Sequence, residues 1–333
     1  MLHRLIELSL RNRPAVLLAT LLVVVAGILS AIRLPIDAVP DITNPQVQIN
    51  TAVPALAPEE IEKLVSFPIE NEMAGLPGMV ELRSLSKFGL SQVTMVFRDD
   101  VDLYRTRQLV SERLAALGDE IPPGLAPKLA PIATGLGEIY YYALDYRANA
   151  PGKPPTREEQ LAALKLIQDY TIKPLLHNTP GVAEVNTSGG YDRQIVVQPR
   201  PARLLSVGLS VDELAAKIAE NTENAGGGLV EIGGEQIVIR ANSRITSIDQ
   251  IARIPLKFGA GVEPMLVGDI AEVALGHSFR TGASTVNGEE GLVGAAIMLA
   301  GENSRLVARA VREKLEIIQQ KLPSEVVLAP LYD

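Results

Sequence analysis

The chain has 333 residues, a formal net charge of −8, and neither cysteine nor tryptophan. The absence of cysteine excludes disulfides and thiolate metal sites, and the absence of tryptophan argues against a carbohydrate-binding platform. The first fourteen residues contain three arginines (Arg4, Arg11 and Arg13) and one glutamate (Glu7), so their net charge is +2 and that of the remainder is −10. An acidic body argues against nucleic acid as a partner and is compatible with cations as a substrate.

An uncharged stretch, Ala15 to Ile32, dominates the N-terminal region. Its eighteen residues would span roughly 27 Å as a helix, close to the ~30 Å hydrocarbon core of a bilayer. Since cationic flanks stay in the cytoplasm, residues 1–33 predict one transmembrane helix, with the N-terminus cytoplasmic and the bulk of the chain periplasmic. Leu2 to Leu10 suit a helix on the inner membrane surface. A cleaved signal peptide is the alternative, because Leu29-Ser30-Ala31 offers a small-x-small step.

Residues 34–133 predict the element order β-α-β-β-α-β. Val47 to Val53 alternate apolar and polar side chains, as in a half-buried strand. Pro58 opens a helix that Pro68 is expected to kink and Gly75 to end. The remaining predicted elements are strands at 80–86 and 91–97, a helix at 102–117 and a strand at 128–132. This order is typical of a ferredoxin-like split βαβ unit.

The same order begins again with a predicted strand at 138–145. Thr156 and Glu159 form a capping box that opens a helix running toward His177. The following segment, TPGVAEVNTSGGYDRQIVV, aligns with LPGMVELRSLSKFGLSQVTMV of the first unit. The aligned pairs are Pro180 with Pro77, Gly181 with Gly78, Glu184 with Glu81, Val185 with Leu82, Thr187 with Ser84, Tyr191 with Phe88 and Gln194 with Gln92. This similarity predicts an internal duplication.

An insertion interrupts the second unit from about Gly189 to Asp269, and it has a helix of its own at 210–221. The duplicate then resumes with a strand at 292–299, a helix at 304–321 and a strand at 326–328. The predicted fold class is therefore α+β. It consists of one N-terminal transmembrane helix followed by two ferredoxin-like βαββαβ subdomains, the second interrupted by a small α+β subdomain.

The sequence contains no set of side chains with the pattern of an enzyme active site. His3 lies on the other side of the predicted membrane, His177 suits a helix C-terminus, and His277 falls in a turn where we expect it to be exposed. Glycine runs at 135–138 and 225–229 lack the spacing of nucleotide-binding loops. We therefore expect no catalytic residue, no cofactor and no enzymatic activity.

Candidate metal ligands are sparse. Asp99, Asp100 and Asp102 lie at a strand-to-helix turn, where helix capping explains them. Met73 and Met95 fall on apolar stripes and are expected in the core. No methionine pair has the spacing that Cu⁺ favours; the methionines after the first residue are Met73, Met79, Met95, Met265 and Met298.

Several longer motifs resemble one known family. RLPIDAVPDITNPQVQINTAVP, FPIENEMAGLPGM, PIATGLGEIYYY and GENSRLVARAV are similar to the resistance-nodulation-division (RND) efflux pumps. DAVPDITN and ATGLGEI resemble the heavy-metal branch of these pumps, the CzcA/CusA type. The resemblance runs from Leu2 to Asp333 and corresponds to the first membrane helix and the first periplasmic loop of the family.

This resemblance implies a domain division and a set of partners. Residues 1–33 would be the membrane anchor, 34–133 the first porter subdomain, 134–188 with 273–330 the second, and 189–272 a docking subdomain. Pumps of the family are proton-driven homotrimers of the bacterial inner membrane, and they work with a periplasmic adaptor protein and an outer-membrane channel. Their proton-relay carboxylates, and the methionine triad of the copper pumps, belong to segments that this sequence does not contain.

Glu138 is the one metal-site residue that the resemblance implies. In the motif GLGEI it matches a carboxylate that helps to form the periplasmic cleft site of zinc-type relatives. Carboxylate oxygen suits Zn²⁺ or Co²⁺ better than Cu⁺. The alternative is a surface glutamate at the end of a strand.

The expected function is the N-terminal part of a proton-driven efflux transporter for heavy-metal cations. Divalent cations such as Zn²⁺, Co²⁺ or Cd²⁺ fit better than copper or silver, with the metal as substrate and the proton as coupling ion. We expect the chain to be inactive alone, as a fragment. A signal-anchored periplasmic binding or scaffold module is one alternative, and a multidrug-type RND pump is another.

Overall fold

The computed structural model shows mixed helix and sheet in two compact units. It describes residues 10–33, 43–54, 56–133, 137–222, 226–232, 235–240, 245, 247–259, 262–280 and 282–332. The first unit comprises Met1–Gly152, Ile167–Ser188 and Val293–Asp333, and the second comprises Lys153–Leu166 and Gly189–Leu292.

An apolar helix, α1 (Arg13–Arg33), stands near the start of the chain. In the described part of the chain it is the one helix that is long and apolar enough, by length and composition, to cross a membrane. Side chains such as Leu17 and Val23 are each 71% exposed, so α1 presents apolar surface to its surroundings. The predicted N-terminal apolar helix is confirmed. The surface helix predicted for Leu2 to Leu10 lies outside the described residues, apart from Leu10.

The first sheet follows α1 and carries two helical segments. Its elements are β1 (Gln46–Val53), α2 (Pro58–Ile61), α3 (Phe67–Met73), β2 (Met79–Lys87), β3 (Gly89–Phe97), α4 (Leu103–Ala116) and β4 (Lys128–Leu129). The strand order is β2-β3-β1-β4, and all neighbours are antiparallel. Ile49, Ile69 and Phe97 are fully buried in its core. β4 is shorter than the predicted strand at 128–132, because Pro131 has no N–H to donate to a sheet.

A π-helical turn, Glu62–Ser66, joins α2 to α3. The N–H of Phe67 donates to the carbonyl of Glu62, five residues back. Pro68 has no N–H for the usual bond four residues back, and the widened turn accommodates the proline within the helical segment. The kink predicted at Pro68 therefore takes the form of a π turn.

The elements after β4 repeat this arrangement. They are β5 (Glu138–Tyr146), α5 (Arg157–Ile167), a second π turn (Gln168–Ile172), α6 (Lys173–His177) and β6 (Val182–Ser188). The capping box predicted for α5 is present: Glu159 N–H donates to Thr156 Oγ1 at 3.2 Å, and Thr156 N–H donates to Glu159 Oε2 at 3.3 Å. The N–H of Lys173 donates to the carbonyl of Gln168, and Pro174 follows it. A proline thus stands after each π turn.

The insertion has its own strands, helices and core. Its elements are β7 (Arg193–Pro199), α7 (Pro201–Val207), α8 (Val211–Thr222), β8 (Gly226–Ile232), β9 (Glu235–Arg240), α9 (Ile248–Ala252), β10 (Pro255–Gly259), β11 (Val262–Leu266), α10 (Val267–Ile270) and β12 (Ala271–His277). β7 pairs antiparallel with β12 along its whole length, and β8–β9 and β10–β11 are antiparallel pairs. Leu204, Val267 and Ile270 belong to a buried cluster within the insertion.

The chain then completes a second sheet with β13 (Ser284–Val286), β14 (Glu289–Met298), α11 (Ser304–Gln319) and β15 (Val326–Tyr332). The short strand β13 pairs antiparallel with the start of β14. The neighbours β6–β14, β14–β5 and β5–β15 correspond to β2–β3, β3–β1 and β1–β4 of the first sheet. The register agrees as well. The aligned glycines Gly78 and Gly181 accept hydrogen bonds from the N–H groups of Arg98 and Leu299. Three residues before these donors, Met95 pairs with Leu82 and Ala296 pairs with Val185, the residue aligned with Leu82. Shared connectivity and register support the internal duplication.

One aligned pair is wrong. Gln92 lies in β3, whereas Gln194 lies in β7 and pairs with Gly276 of β12. The counterpart of β3 is β14, which begins only after the insertion. The sequence alignment continued past Ser188, the end of β6, into a strand that has no equivalent in the first sheet.

Candidate functional site

Glu138, the predicted metal ligand, is the first residue of β5. The next two residues, Ile139 and Tyr140, are 8% and 2% exposed, whereas the Glu138 side chain is exposed. Its Oε2 accepts a hydrogen bond from the hydroxyl of Tyr141. In the part of the chain that the structure describes, Glu138 Oε1 makes no hydrogen bond or ion pair. One carboxylate oxygen is therefore held by the phenol, and the side chain as a whole is exposed.

Tyr141 is fixed by the strand beside it. Tyr141 pairs with Tyr332 across β5 and β15, and the two rings meet edge to face with centroids 6.3 Å apart and an interplanar angle of 67°. The hydrogen bond to Glu138 raises the pKa of Tyr141 to about 12, with smaller contributions from partial burial and from the nearby carboxylate charge. The phenol is therefore a neutral donor at physiological pH.

Glu138 offers one ligand rather than a complete metal site. Among the residues that the structure describes, no group of three or more histidine, cysteine, aspartate or glutamate side chains is arranged to hold a metal ion. Zinc sites in proteins commonly use three or four such ligands. A cation at Glu138 would need additional ligands, which water or other parts of a larger protein could supply.

One of the three aspartates after β3 caps a helix, as predicted. Asp102 is the N-cap of α4, and its Oδ1 accepts hydrogen bonds from the N–H groups of Tyr104 at 2.9 Å and Arg105 at 3.2 Å. Asp100 pairs with Arg98 at 3.1 Å. The capping interpretation is therefore confirmed for Asp102, whereas Asp100 is engaged in an ion pair and the role of Asp99 stays a prediction.

The two histidines of the described chain behave differently from each other. His177 ends α6, as expected from the dipole argument. The prediction that His277 is exposed is wrong, since its side chain is only 27% exposed and its Nδ1 lies 2.9 Å from Glu158 Oε1. The ring of Tyr191 stacks at a tilt on His277, with centroids 4.9 Å apart. These contacts come from residues distant in sequence, so the local turn pattern around His277 gave no sign of them.

Arg280 completes a charged and aromatic cluster within the second unit. Its guanidinium carbon lies 3.9 Å from the centroid of the Tyr191 ring, and it forms an ion pair with Glu290. That bond raises the pKa of Arg280. A cation already occupies the centre of this cluster, which makes it a poor site for a metal. Sequence reasoning did not single out Tyr191 or Arg280 for such a role.

Described residues of the first unit line at least two cavities. One, of about 300 Å³, is lined by the polar face of the first sheet, and its residues are Gln46, Gln48, Arg83, Ser84, Leu85, Gln92 and Thr94. It contains a guanidinium and no carboxylate, so it is poorly suited to a divalent cation. The other, of about 520 Å³, lies between β5, β15 and α11 and is lined mainly by Tyr140, Tyr142, Arg312, Leu315 and Leu328.

The methionines are part of the packing. Met73 and Met95 are fully buried in the core of the first sheet, as predicted. Met298 is 8% exposed and pairs with Val182 at the end of β14. None of these three sulfur atoms is in an arrangement that indicates soft-metal binding.

Comparison with known proteins identifies the family. The AcrB/AcrD/AcrF family model matches residues 5–333. The whole chain is 43% identical to the cobalt-zinc-cadmium resistance protein CzcA of Cupriavidus metallidurans and covers 31% of it. It is 34% identical to the cation efflux system protein CusA of Escherichia coli K12, again covering 31% of that protein.

A solved structure agrees with these relatives. The crystal structure of a heavy metal efflux pump matches with a TM-score of 0.84 and 30% identity, covering 98% of this chain and 32% of that one. The chain thus spans about a third of the length of the relatives that it matches. It belongs to the AcrB/AcrD/AcrF family, and the relatives and the solved structure that it matches carry names of heavy-metal efflux proteins of the type that its motifs predicted.

Proposed function

We propose that the chain is the N-terminal part of a transporter that exports divalent heavy-metal cations, with Glu138 as one of its periplasmic metal ligands. The observation that carries this proposal is the 43% identity, over the whole chain, to a protein named for resistance to cobalt, zinc and cadmium. The chain covers only 31% of that relative, so transport would be an activity of a longer protein. We expect no transport by these 333 residues alone.

The chemistry of Glu138 is consistent with a divalent substrate. An accessible carboxylate oxygen is a good ligand for Zn²⁺, Co²⁺ or Cd²⁺ and a poor one for Cu⁺, which prefers thioether and thiolate sulfur. The described methionines Met73 and Met95 are buried in the core, which removes them as ligands for Cu⁺ or Ag⁺. No resident cofactor is part of this proposal; the metal is the substrate and the proton is the coupling ion.

The architecture is consistent with the anchor, porter and docking subdomains that the family resemblance implies. In this proposal α1 anchors residues 1–33 in the inner membrane, 34–133 form one ferredoxin-like porter subdomain, and 134–188 with 273–330 form the other. The insertion, 189–272, is the docking subdomain that faces the adaptor protein and outer-membrane channel. The repeated strand connectivity of the two sheets supports a pair of related porter subdomains, and a homotrimer would supply the interfaces between them.

A chimeric pump tests this function. Residues 1–333 would replace the corresponding third of CzcA in a zinc-sensitive bacterium, and growth would be followed in Zn²⁺, Co²⁺, Cd²⁺, Cu²⁺ and Ag⁺. We expect tolerance to the first three metals, with Glu138→Gln lowering it. Glu302→Gln is the matched control, because Glu302 is likewise exposed and lies in the first unit, in the loop between β14 and α11.

The outcomes separate the parts of the proposal. Tolerance limited to copper or silver would contradict the divalent substrate class. Zinc tolerance that is equal in the Glu138→Gln and Glu302→Gln chimeras would remove Glu138 from the site and leave the transport function standing. A chimera that is inserted in the membrane and assembled, yet confers tolerance to none of the five metals, would contradict the function itself.

A further inference from the structure

The carboxylate of Glu138 is held by a single tyrosine. The Tyr141 hydroxyl donates to Oε2, and no other hydrogen bond to the Glu138 side chain is present among the described residues. We propose that Tyr141 is the positioning residue for this metal ligand: by fixing Oε2, its hydroxyl orders the carboxylate and leaves Oε1 to coordinate a divalent cation. This inference rests on the proposed function, in which Glu138 binds the metal.

An exposed glutamate needs such a partner to be an effective ligand. A free glutamate side chain loses up to about 2 kcal/mol of rotamer entropy when it is fixed in one conformation. Hydrogen bonds to ligating carboxylates reduce this loss on binding, because the conformation is selected before the metal arrives. Without Tyr141, the Glu138 side chain at the start of β5 would have no described partner to order it.

Tyr141 can order Glu138 because its own backbone is paired in a sheet. It lies within β5 and pairs with Tyr332 of β15, next to an irregularity in the register between Pro330 and Tyr332. Its ring is supported edge to face by Tyr332 at 6.3 Å. The hydroxyl therefore projects from a paired strand rather than from a mobile loop, which is the arrangement that keeps a ligand in place.

The test measures zinc affinity in the full 333-residue chain, purified in detergent. Competition with a chromophoric chelator would compare the unmodified chain with Tyr141→Phe, Glu138→Gln and the double variant. Tyr170→Phe is the matched control, because Tyr170 is 79% exposed and has no described side-chain hydrogen bond. We expect Tyr141→Phe to weaken binding by about tenfold, Tyr170→Phe to leave it unchanged, and the double variant to equal Glu138→Gln.

A spectroscopic signal distinguishes positioning from a general structural effect. The chain has no tryptophan and eight tyrosines, so its near-ultraviolet emission comes from tyrosine. Zn²⁺ is not redox-active, and its binding at Glu138 changes the charge beside the Tyr141 phenol. The emission of the unmodified chain and of Tyr170→Phe is expected to respond to Zn²⁺, whereas that of Tyr141→Phe is not.

A second variant provides an independent measurement in a folded protein. Glu138→Asp keeps the carboxylate and shortens its reach to Tyr141, so it is expected to weaken zinc binding to the same extent as Tyr141→Phe. Adding Tyr141→Phe to Glu138→Asp is expected to cause no further loss. Phenylalanine preserves the ring contact with Tyr332, and far-ultraviolet circular dichroism checks that each variant is folded.

Each alternative result has a defined meaning. If Tyr141→Phe binds zinc as tightly as Tyr170→Phe while Glu138→Gln does not bind, the positioning role is wrong and the metal site stands. If Glu138→Gln keeps the affinity of the unmodified chain, the proposed site is wrong, and this inference fails with it. If Tyr141→Phe weakens binding further in the Glu138→Gln background, Tyr141 acts through another group and the inference is also overturned.

Discussion

Gly181 lies against Val307 in the same way as Gly78 lies against Val101. A Cβ added to Gly181 would stand 2.6 Å from Val307 Cγ2, and one added to Gly78 would stand 2.5 Å from Val101 Cγ2. Both glycines have positive φ, of 84° and 76°. The two repeats therefore share a left-handed turn that packs against a valine near the start of α4 or α11. The position requires glycine because φ is positive and because a Cβ would overlap the valine.

Gly181→Ala is expected to destabilise the chain by more than left-handed strain alone. Alanine at positive φ costs about 1–2 kcal/mol, and overpacking against Val307 adds a further ~1–3 kcal/mol. Gly301→Ala is the control, because Gly301 has φ of 85° and no atom within 4 Å of an added Cβ. Urea unfolding of the full chain in detergent measures both losses, and equal losses would contradict the role of the Val307 contact.

The second prediction concerns the buried polar pair of Gln168, the first residue of the second π turn, and Tyr142 of β5. Gln168 is fully buried, and its Oε1 accepts a hydrogen bond from the Tyr142 hydroxyl at 3.1 Å. Gln168→Met leaves that hydroxyl without its partner, which is expected to cost about 1–3 kcal/mol of unfolding free energy. Adding Tyr142→Phe removes the orphaned hydroxyl and is expected to recover part of the loss.

A double-mutant cycle in urea measures this coupling. The expected result is a double variant that is more stable than Gln168→Met alone. Additive losses from the two substitutions would show that the side chains stabilise the fold independently. The hydrogen bond between them would then not be the reason that the Gln168 amide is tolerated in the core.

The third prediction is a pH dependence caused by Tyr141. Its pKa is about 12 in the folded chain, against about 10 for an unperturbed tyrosine. Above pH ~10 the unfolded state loses this proton while the folded state retains it, so stability falls as pH rises from about 10 to about 12. Below that range both states are protonated, and Tyr141 contributes no pH dependence.

Thermal melting across this range checks the effect. Tyr141→Phe removes the titrating group, so its melting temperature is expected to decline less steeply between pH 9 and pH 11.5 than that of Tyr170→Phe, the exposed control. Glu138→Gln is also expected to flatten the decline, because the hydrogen bond to Glu138 is the largest cause of the raised pKa. Parallel declines in all three variants would contradict this assignment.

Local signals in the sequence were sufficient to place most elements. The capping box of Thr156 and Glu159 and the N-cap at Asp102 act within one helical turn, so their effect can be read from neighbouring residues. The kink at Pro68 was predictable because a proline cannot donate the helical bond. The form of that kink, a π turn, depends on the packing of the whole helical segment and was not predictable.

The predictions that the sequence left open or made wrongly depend on contacts between residues that are distant in the chain. His277 is half-buried because Glu158 and Tyr191 reach it from other elements. Gln194 was matched to Gln92 because a sequence alignment does not show that the chain leaves the second sheet after Ser188. Glu138 was singled out by resemblance alone, and its link through Tyr141 to Tyr332 depends on the pairing of β5 with β15.

The final prediction concerns the orientation of α1. The N-terminal flank, residues 1–14, carries three arginines (Arg4, Arg11 and Arg13) and one glutamate (Glu7), and the positive-inside rule places such a flank in the cytoplasm. Alkaline phosphatase fused after Asp333 is therefore expected to be active, and β-galactosidase at the same position inactive, because the two enzymes work on opposite sides of the inner membrane.

The size of the fusion protein in the membrane addresses the signal-peptide alternative. Cleavage after Ala31 would remove α1 and release a shorter, soluble product, whereas an anchor leaves the chain intact in the membrane fraction. Replacing Arg11 and Arg13 with glutamate tests whether the flanking charge sets the orientation. The replacement reverses that charge and is expected to lower phosphatase activity. An active β-galactosidase fused to the unmodified chain would contradict the orientation, and with it the placement of Glu138 on the periplasmic side.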